Sequence, residues 1–431
     1  VKTPRRRVLT INAGSSSLKF ALFASGAPLR RLFSGSIERV GLPGTVFAAH
    51  GGAFGAGVSR PMPARDHAAA ASGLLELLAA RGADASADAV GHRVVIGGPN
   101  DGRPRRVTDE LLEDLRRFSA LDAAHMPAEI RLIETFRKRF PGRPQVACFD
   151  TTFHRDLPRV ARVLPIPRRY EALGVRRYGF HGLAYASVMR EFGRRAGNRA
   201  AAGRIILAHL GSGASLAAVS GGRSLDTTMS FTPSSGIPMS TRSGDLDPGL
   251  VGHLCRAEKR GAEGFSAMAA SESGLLGISE TSSDMRDLLA AAPRDVRAEE
   301  AVAVFCYEAK KRVGAFAAAL GGVDALVFSG GIGERSPEVR ARICSGLGFL
   351  GLALDASRNA ANAGEISARG ARTSIRVIPA DEELMIAAAT LRTLARGDGN
   401  APHKSDEKSS RGLNGRRRAA GLEWPGVAPR R

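Results

Sequence analysis

Cysteine and aromatic side chains are scarce in this chain, and neither a long apolar run nor the common phosphate-binding lysine motif occurs. The four cysteines, Cys148, Cys255, Cys306 and Cys344, stand far apart and form no CxxC pair. That spacing argues against a disulfide framework and a paired-thiolate metal site; ordinary buried thiols in a reducing cytoplasm are expected. No apolar stretch approaches the roughly 18 residues that a spanning helix needs, and no signal peptide is visible, so a cytoplasmic protein with no membrane association is expected. Aromatics are only 5% of the residues and no recognised nucleic-acid module is present, so specific nucleic-acid binding is not expected despite a net charge of +20. The pattern GxxxxGK[ST] is missing, which removes a Walker A loop.

What remains is a chain of 431 residues, 43% of them hydrophobic, enough for large cores and for two domains rather than one. Part of the positive charge lies in the flanks, KTPRRR at the start and HKSDEKSSRGLNGRRRAAGLEWPGVAPRR at the end. Residues 397–431 have no apolar period and are expected to form a disordered basic tail. The basic excess of the body suits an anionic substrate, although charge alone selects none.

Two stretches share one design. RVLTINAGSSSLKFALF (7–23) and RIILAHLGSGASLAAVS (204–220) each read as apolar run, small polar turn, apolar run. They predict two hairpins about two hundred residues apart and an internal duplication. ALDAAHMPAEIRLIETFRKRF has helical spacing, QVACFDTTF reads as a buried strand, and 298–320 as a long helix. DALVFSGGIGERSPEVRARICSGL reads as strand, Gly-Gly turn and helix. Alternating strands and helices predict an α/β fold with ligands where strands end in glycine turns.

Those turns are suited to phosphate. Backbone N–H groups of Gly14, Ser15 and Ser16 lack ladder partners and can point at an anion, Ser15 and Ser17 add hydroxyls, Asn12 an amide oxygen, and Lys19 a charge. A plain solvated hairpin explains this stretch equally well by itself. HLGSGAS (209–215) and SGGIGE (329–334) repeat the theme, and three such loops in one chain favour nucleotide phosphate binding.

INAGSSSLKF, HRVVIGG, FDTTFH, RRYGFHG, HLGSGAS, FTPSSG, STRSGDLDP, SGLLGIS, SSDMRD, GGIGE and DEELMIA occur in this order. Together they resemble the acetate kinase (acetokinase) family of the actin/sugar-kinase/Hsp70 superfamily, from about Arg7 to about Arg396. The resemblance implies two duplicated RNase H-like (actin-like ATPase) α/β domains with an active-site cleft between them. The first would comprise residues 1–152 plus a closing helix at about 383–396. The second, 153–382, would bind nucleotide and form a homodimer. The implied activity is Mg²⁺-dependent, reversible phosphoryl transfer from ATP to acetate, giving acetyl phosphate and ADP, with Mn²⁺ as a possible substitute cation. Propionate is the alternative acid, and a non-catalytic ATP switch is the alternative class.

By the same resemblance, Arg93 and Arg242 bind the carboxylate and the transferring phosphoryl group, for which a planar guanidinium fork is suited. His181 would stabilise that group, His125 would be a second active-site histidine, and Asp150 would orient an arginine or a metal-bound water. Asn12 and Glu382 match the magnesium pair, with adjacent Glu383 chemically equivalent. Val95, Ala124, Phe180 and Pro233 would line the acyl pocket, where Ala124 stands in place of the usual leucine and leaves room for propionate. For the nucleotide, the matches are Lys19 with Ser15 and Ser17, and the backbone of His209, Leu210, Gly211, Ser212 and Gly213. Asp284, Met285 and Arg286 match the adenosine segment, together with Gly331, Ile332, Gly333, Glu334 and Arg335. On its residues alone SSDMRD reads equally as a helix start capped by Ser283 or Asp284. Ile96, Met126, Tyr185, Ser212 and Arg335 depart from the family pattern; Tyr185 replaces a histidine.

Overall fold

The opening stretch forms a hairpin because its apolar residues alternate with a turn too small to continue the ladder. In the computed structural model, which describes residues 6–14, 16–83, 86–98, 102–119, 125–259 and 261–396, β1 (Arg7–Ala13) is buried at every residue but Arg7. It pairs antiparallel with β2 (Ser17–Ala24), setting Asn12 opposite Lys19 and Ala13 opposite Leu18. Ser15, Ala124 and the tail 397–431 lie outside the described residues.

The first sheet adds β3 (Arg30–Glu38), β4 (Val46–His50), β5 (Val58–Pro61), β6 (Ala89–Val94), β7 (Arg105–Arg106) and β8 (Gln145–Phe149), in the order β5-β4-β3-β2-β1-β6-β8-β7. The second consists of β9 (Ile205–Leu210), β10 (Ala214–Ser220), β11 (Arg223–Thr227), β12 (Ala325–Ser329) and β13 (Ser374–Val377), in the order β11-β10-β9-β12-β13. Within the first sheet, β3-β2-β1-β6-β8 is an antiparallel meander continued by two parallel strands. The second sheet repeats that pattern strand for strand. This is the duplicated α/β architecture, and β4, β5 and β7 extend its first copy.

Local chemistry sets the helices. Helix His67–Ala80 starts where Asp66 accepts from the Ala69 N–H, and it covers a cluster holding Phe20, Phe33, Phe47 and Phe54. Phe20, Phe33, Phe47 and Phe54 thus form one aromatic cluster on a face of the first sheet. Helix Val296–Leu320 is capped by Asp295 and stopped by Gly321 in the left-handed conformation. It packs on one face of the second sheet, while Tyr185, Val188 and Phe192 of helix Gly182–Ala196 pack on the other. The Gly-Gly turn expected after β12 instead opens a six-residue helix, Gly330–Arg335, before helix Pro337–Cys344. No helix among the described residues is long and apolar enough to cross a membrane.

The last helix, Glu382–Ala395, returns to the first sheet. Ile386 and Ala389 pack with Val146 and Cys148, and Ala387 with Val8, Ala21 and Ala89. Gly91 admits it: a Cβ there would lie 2.3 Å from Thr390 Oγ1 and 2.7 Å from Ile386 Cγ2. Asp381 fixes its start, capping through the Leu384 N–H and pairing with Arg31 at 2.5 Å.

Candidate active site

Strand alternation turns His92 and Arg93 to opposite faces of β6. His92 is buried against Phe136 and bonded to Gln145, and burial pushes its ring down to about 4. Arg93 faces the site. Its Nε and Nη2 donate to Asp150 Oδ2 at 3.0 and 2.7 Å, and Nη1 donates to the Ala13 carbonyl at 2.5 Å. Glu129 Oε1 lies 3.6 Å from Nη1. Burial works against the Arg93 charge, but Asp150, Glu129 and Glu382 outweigh it and raise the guanidinium above its usual range. Asp150 itself follows β8, held by its N–H to the Val94 carbonyl and by its carbonyl to the Gly182 N–H.

The second half of the site begins at His181, which occupies the cap position of helix Gly182–Ala196 with φ 59°. A non-glycine residue seldom adopts that left-handed conformation, and such strain persists only where its surroundings enforce it. His181 Nδ1 meets Ser215 Oγ at 2.9 Å, and its ring centroid is 4.8 Å from that of His209. At Gly213 the hairpin comes close: a Cβ there would sit 3.1 Å from His181 Nε2 and 3.5 Å from Arg242 Nη1. Arg242 Nη1 donates to the Pro233 carbonyl at 3.2 Å. Burial depresses His181 far below an ordinary histidine, and His209, Arg242 and Arg93 add to the effect. Arg242 thus stands beside this imidazole from the loop after β11, and Asp150 links the other side to Arg93 through the Gly182 N–H.

The glycine turns face one another beside this centre. The Gly211 N–H closes onto the Gly213 carbonyl at 3.1 Å, and a Cβ on Gly211 would be 3.8 Å from the Gly331 nitrogen. The Ser212 carbonyl accepts from the Ser240 N–H at 3.2 Å, tying the turn to the Arg242 loop. Leu210 is buried, and His209 Nδ1 contacts Ser329 Oγ at 3.1 Å. Burial lowers His209 to about 4; Glu334 and Asp150 oppose this, while Lys19 assists it. Glu334 accepts from the Gly330 N–H at 2.9 Å, bracing the helix that carries Gly331, Ile332, Gly333 and Arg335. Ser17 closes the first turn, its carbonyl accepting from the Gly14 N–H at 2.8 Å.

Asp284 caps helix Met285–Ala291 and pairs with Arg286 at 2.5 Å. Of the alternatives for SSDMRD, the helix cap is Asp284 and that carboxylate holds the arginine. The Met285 side chain is in the core, so only its backbone is available to a ligand.

At the first hairpin, Asn12 Nδ2 donates to Glu382 Oε2 at 2.8 Å and to Glu383 Oε1 at 3.0 Å. The question of which glutamate meets Asn12 has the answer that both do. Burial and the neighbouring Glu382 charge raise the Glu383 carboxyl. Two carboxylates converging on one amide form a hard-oxygen donor set, which fits a divalent cation that keeps part of its water. Among the described residues, no group of three or more His, Cys, Asp or Glu could enclose a metal.

Val95 and Phe180 are buried near this edge, the Val95 N–H donating to Glu129 Oε2 at 2.9 Å. His125 holds the cap position of helix Met126–Arg139, the helix that delivers Glu129. Reading the sequence missed Glu129 and Ser215. Glu129 carried a signal, a carboxylate on the apolar stripe of Met126, Ile133 and Phe136. Ser215 had a subtler one: it opposes His209 in the second hairpin just as Lys19 opposes Asn12 in the first.

Residues 7–388 match the model of the acetokinase family. The chain is 43% identical over 401 residues to an acetate kinase of Methylocella silvestris, covering 90% of this chain and 98% of that protein. It is 41% identical over 394 residues to a propionate kinase of Citrobacter rodentium, covering 90% and 96%. The crystal structure of a propionate kinase from Francisella tularensis matches with a TM-score of 0.83 at 32% identity, covering 90% of this chain and 99% of that one.

Proposed function

The chain belongs to the acetokinase family, and from that premise we propose that it transfers the γ-phosphoryl group of ATP to acetate, reversibly, giving acetyl phosphate and ADP. A carboxylate oxygen of the acid forms a bond to the γ-phosphorus as the bond from phosphorus to the β,γ-bridging oxygen breaks, and ADP leaves with that electron pair. The acid is already ionised, so no general base is needed. Catalysis is then a matter of positioning and of compensating charge on the equatorial oxygens.

Arg93, kept charged and aimed by Asp150 and Glu129, receives the carboxylate. Arg242 and His181 face the transferring group across Gly213, where the missing side chain leaves room for phosphate oxygens. The turns at Gly211–Gly213 and Gly331 line the polyphosphate, with Lys19 on the opposite hairpin. Glu382, Glu383 and Asn12 are the residues to hold Mg²⁺ or Mn²⁺, which when bound neutralises polyphosphate charge. Closure of the two sheets' loops excludes water that would otherwise hydrolyse ATP or the acyl phosphate.

The observation carrying this reading is geometric: Asp150, which holds the Arg93 guanidinium, also accepts from the Gly182 N–H next to His181, and Gly213 faces both His181 Nε2 and Arg242 Nη1. A hydroxamate assay for acyl phosphate, with ATP, Mg²⁺ and a panel of short acids, tests it. Product is expected with acetate, and a loss of about 100-fold or more in Arg93→Ala and Arg242→Ala. ATP turnover that ignores the acid would favour a nucleotide-driven switch instead.

Propionate is the second reading, supported by relatives named propionate kinase at almost the same identity. One methylene changes discrimination by only about 1–3 kcal/mol. Comparing kcat/KM for acetate, propionate and butyrate separates the two.

A further inference from the structure

Behind the candidate site, three side chains form one hydrogen-bond chain. The Tyr185 hydroxyl contacts Ser215 Oγ, and Ser215 Oγ contacts His181 Nδ1 at 2.9 Å. Tyr185 and Ser215 are fully buried. Among the described residues neither hydroxyl has another hydrogen-bond partner. The Tyr185 ring is held in place by Phe153, His154 and His209, at centroid distances of 5.7, 5.6 and 6.3 Å.

These contacts have three possible polarities. In one, Tyr185 donates to Ser215, and Ser215 donates to His181 Nδ1. In the second, Nδ1–H donates to Ser215 and Ser215 donates to Tyr185, which leaves the buried phenol hydrogen with no acceptor. In the third, Ser215 accepts from both Tyr185 and Nδ1–H, which leaves its own buried hydrogen with no acceptor. Buried donors are almost always satisfied, so the first order holds. Nδ1 is then the acceptor of a neutral ring, and Nε2 carries the hydrogen.

We propose that Tyr185 and Ser215 are positioning residues that hold His181 as the Nε2–H tautomer, so that it meets the transferring phosphoryl group as a neutral hydrogen-bond donor and not as a third cation. Nε2 is the atom facing Gly213, beside Arg242 Nη1. Two guanidiniums already supply charge there; a charged imidazole would be repelled by both, while a neutral donor adds a directional bond without that repulsion. Burial and the charges of Arg242 and Arg93 keep the ring unprotonated. The chain also assigns a task to Tyr185, which stands where the family pattern has a histidine. An imidazole in that place could donate or accept, whereas a neutral phenol with one neighbour has its direction settled.

The inference rests on the phosphoryl-transfer reading of the site, but its test does not. Long-range ¹H–¹⁵N correlation spectra of the full chain labelled in histidine nitrogen report the tautomer, with His181 identified by its loss in His181→Gln. The expected result is a protonated Nε2 and a bare Nδ1 at neutral pH. In Tyr185→Phe the signals should move toward a tautomer mixture, with kcat lower by about tenfold and KM for both substrates within about twofold. A protonated Nδ1 in the parent overturns the proposal, whether the ring is neutral or doubly protonated. So does a folded Tyr185→Phe with the parent's spectrum and kcat. The parent spectrum decides even if that variant fails to fold. An Nε2–H ring in a protein that phosphorylates no acid would sink the reaction and leave the hydrogen-bond chain standing.

Discussion

Arg93 and Asp150 are joined through a single carboxylate oxygen, with Nε 3.0 Å and Nη2 2.7 Å from Oδ2. Two donors on one acceptor fix the plane of the guanidinium, while Nη1 is held by the Ala13 carbonyl. Asp150→Asn keeps an acceptor there but removes the charge. We expect kcat/KM for the acid to fall about 100-fold with KM for ATP little changed. Unchanged steady-state kinetics would show that the carboxylate only fills space.

Gly213→Ala tests the close approach of the second hairpin. Its methyl would stand 3.1 Å from His181 Nε2 and 3.5 Å from Arg242 Nη1. Displacing either side chain by a fraction of an ångström should lower kcat by about 10- to 100-fold, since reacting groups tolerate little misplacement. The melting temperature should hardly move, because the turn is not part of the core. A large fall in Tm with normal kcat would contradict this.

Stability should decline as pH falls. His92, His154 and His209 are neutral inside the fold, each pushed down to about 4 mainly by burial. In the unfolded chain they titrate near the ordinary value of about 6.5. The unfolded state therefore takes up protons first, and stability that is complete above about pH 6.5 is lost from there down through about pH 4. Each ring contributes on the order of 3 kcal/mol to that loss. Urea midpoints measured across this window should drop steadily, and His92→Gln should flatten the slope by up to one proton. An identical slope in that variant would mean the His92 ring is already charged in the folded protein.

The glutamate pair predicts a metal phenotype. Glu382→Gln and Glu383→Gln should each raise the Mg²⁺ concentration needed for half-maximal activity by about tenfold, and EDTA should abolish activity in all three proteins. Helix Glu382–Ala395 should remain docked, so circular dichroism serves as the control. A parent enzyme indifferent to EDTA would remove the metal role from this pair.

Gly91→Ala addresses the docking of the same helix. A Cβ at 2.3 Å from Thr390 Oγ1 must push the helix or β6 aside. Overpacking of this kind costs about 1–3 kcal/mol. Because Asn12 meets Glu382 and Glu383 through that helix, Mg²⁺ dependence should worsen together with the urea midpoint. A fall in the midpoint alone would uncouple the two.

The hairpins Arg7–Ala24 and Ile205–Ser220 were legible because apolar alternation and small turn residues are local properties. Helix Met126–Arg139 was legible for the same reason, through its periodicity. Glu129 was not: its place on the apolar stripe marks it as buried, but only the fold supplies its partner, Arg93. Asp284 reads both as part of the adenosine segment and as a helix cap, and only the structure shows it capping helix Met285–Ala291 while pairing with Arg286.

The order of residues by itself determined the duplication, the two small turns and the stock of arginines, histidines and carboxylates, since each follows from spacing within a few residues. Only the tertiary structure decided that Asn12 meets glutamates 370 and 371 positions away, and that Ser215 lies between Tyr185 and His181. Contacts across that span, and the loss of water that tunes the groups making them, come from the docking of helices Glu382–Ala395 and Gly182–Ala196 on the faces of the two sheets. No local pattern encodes that geometry.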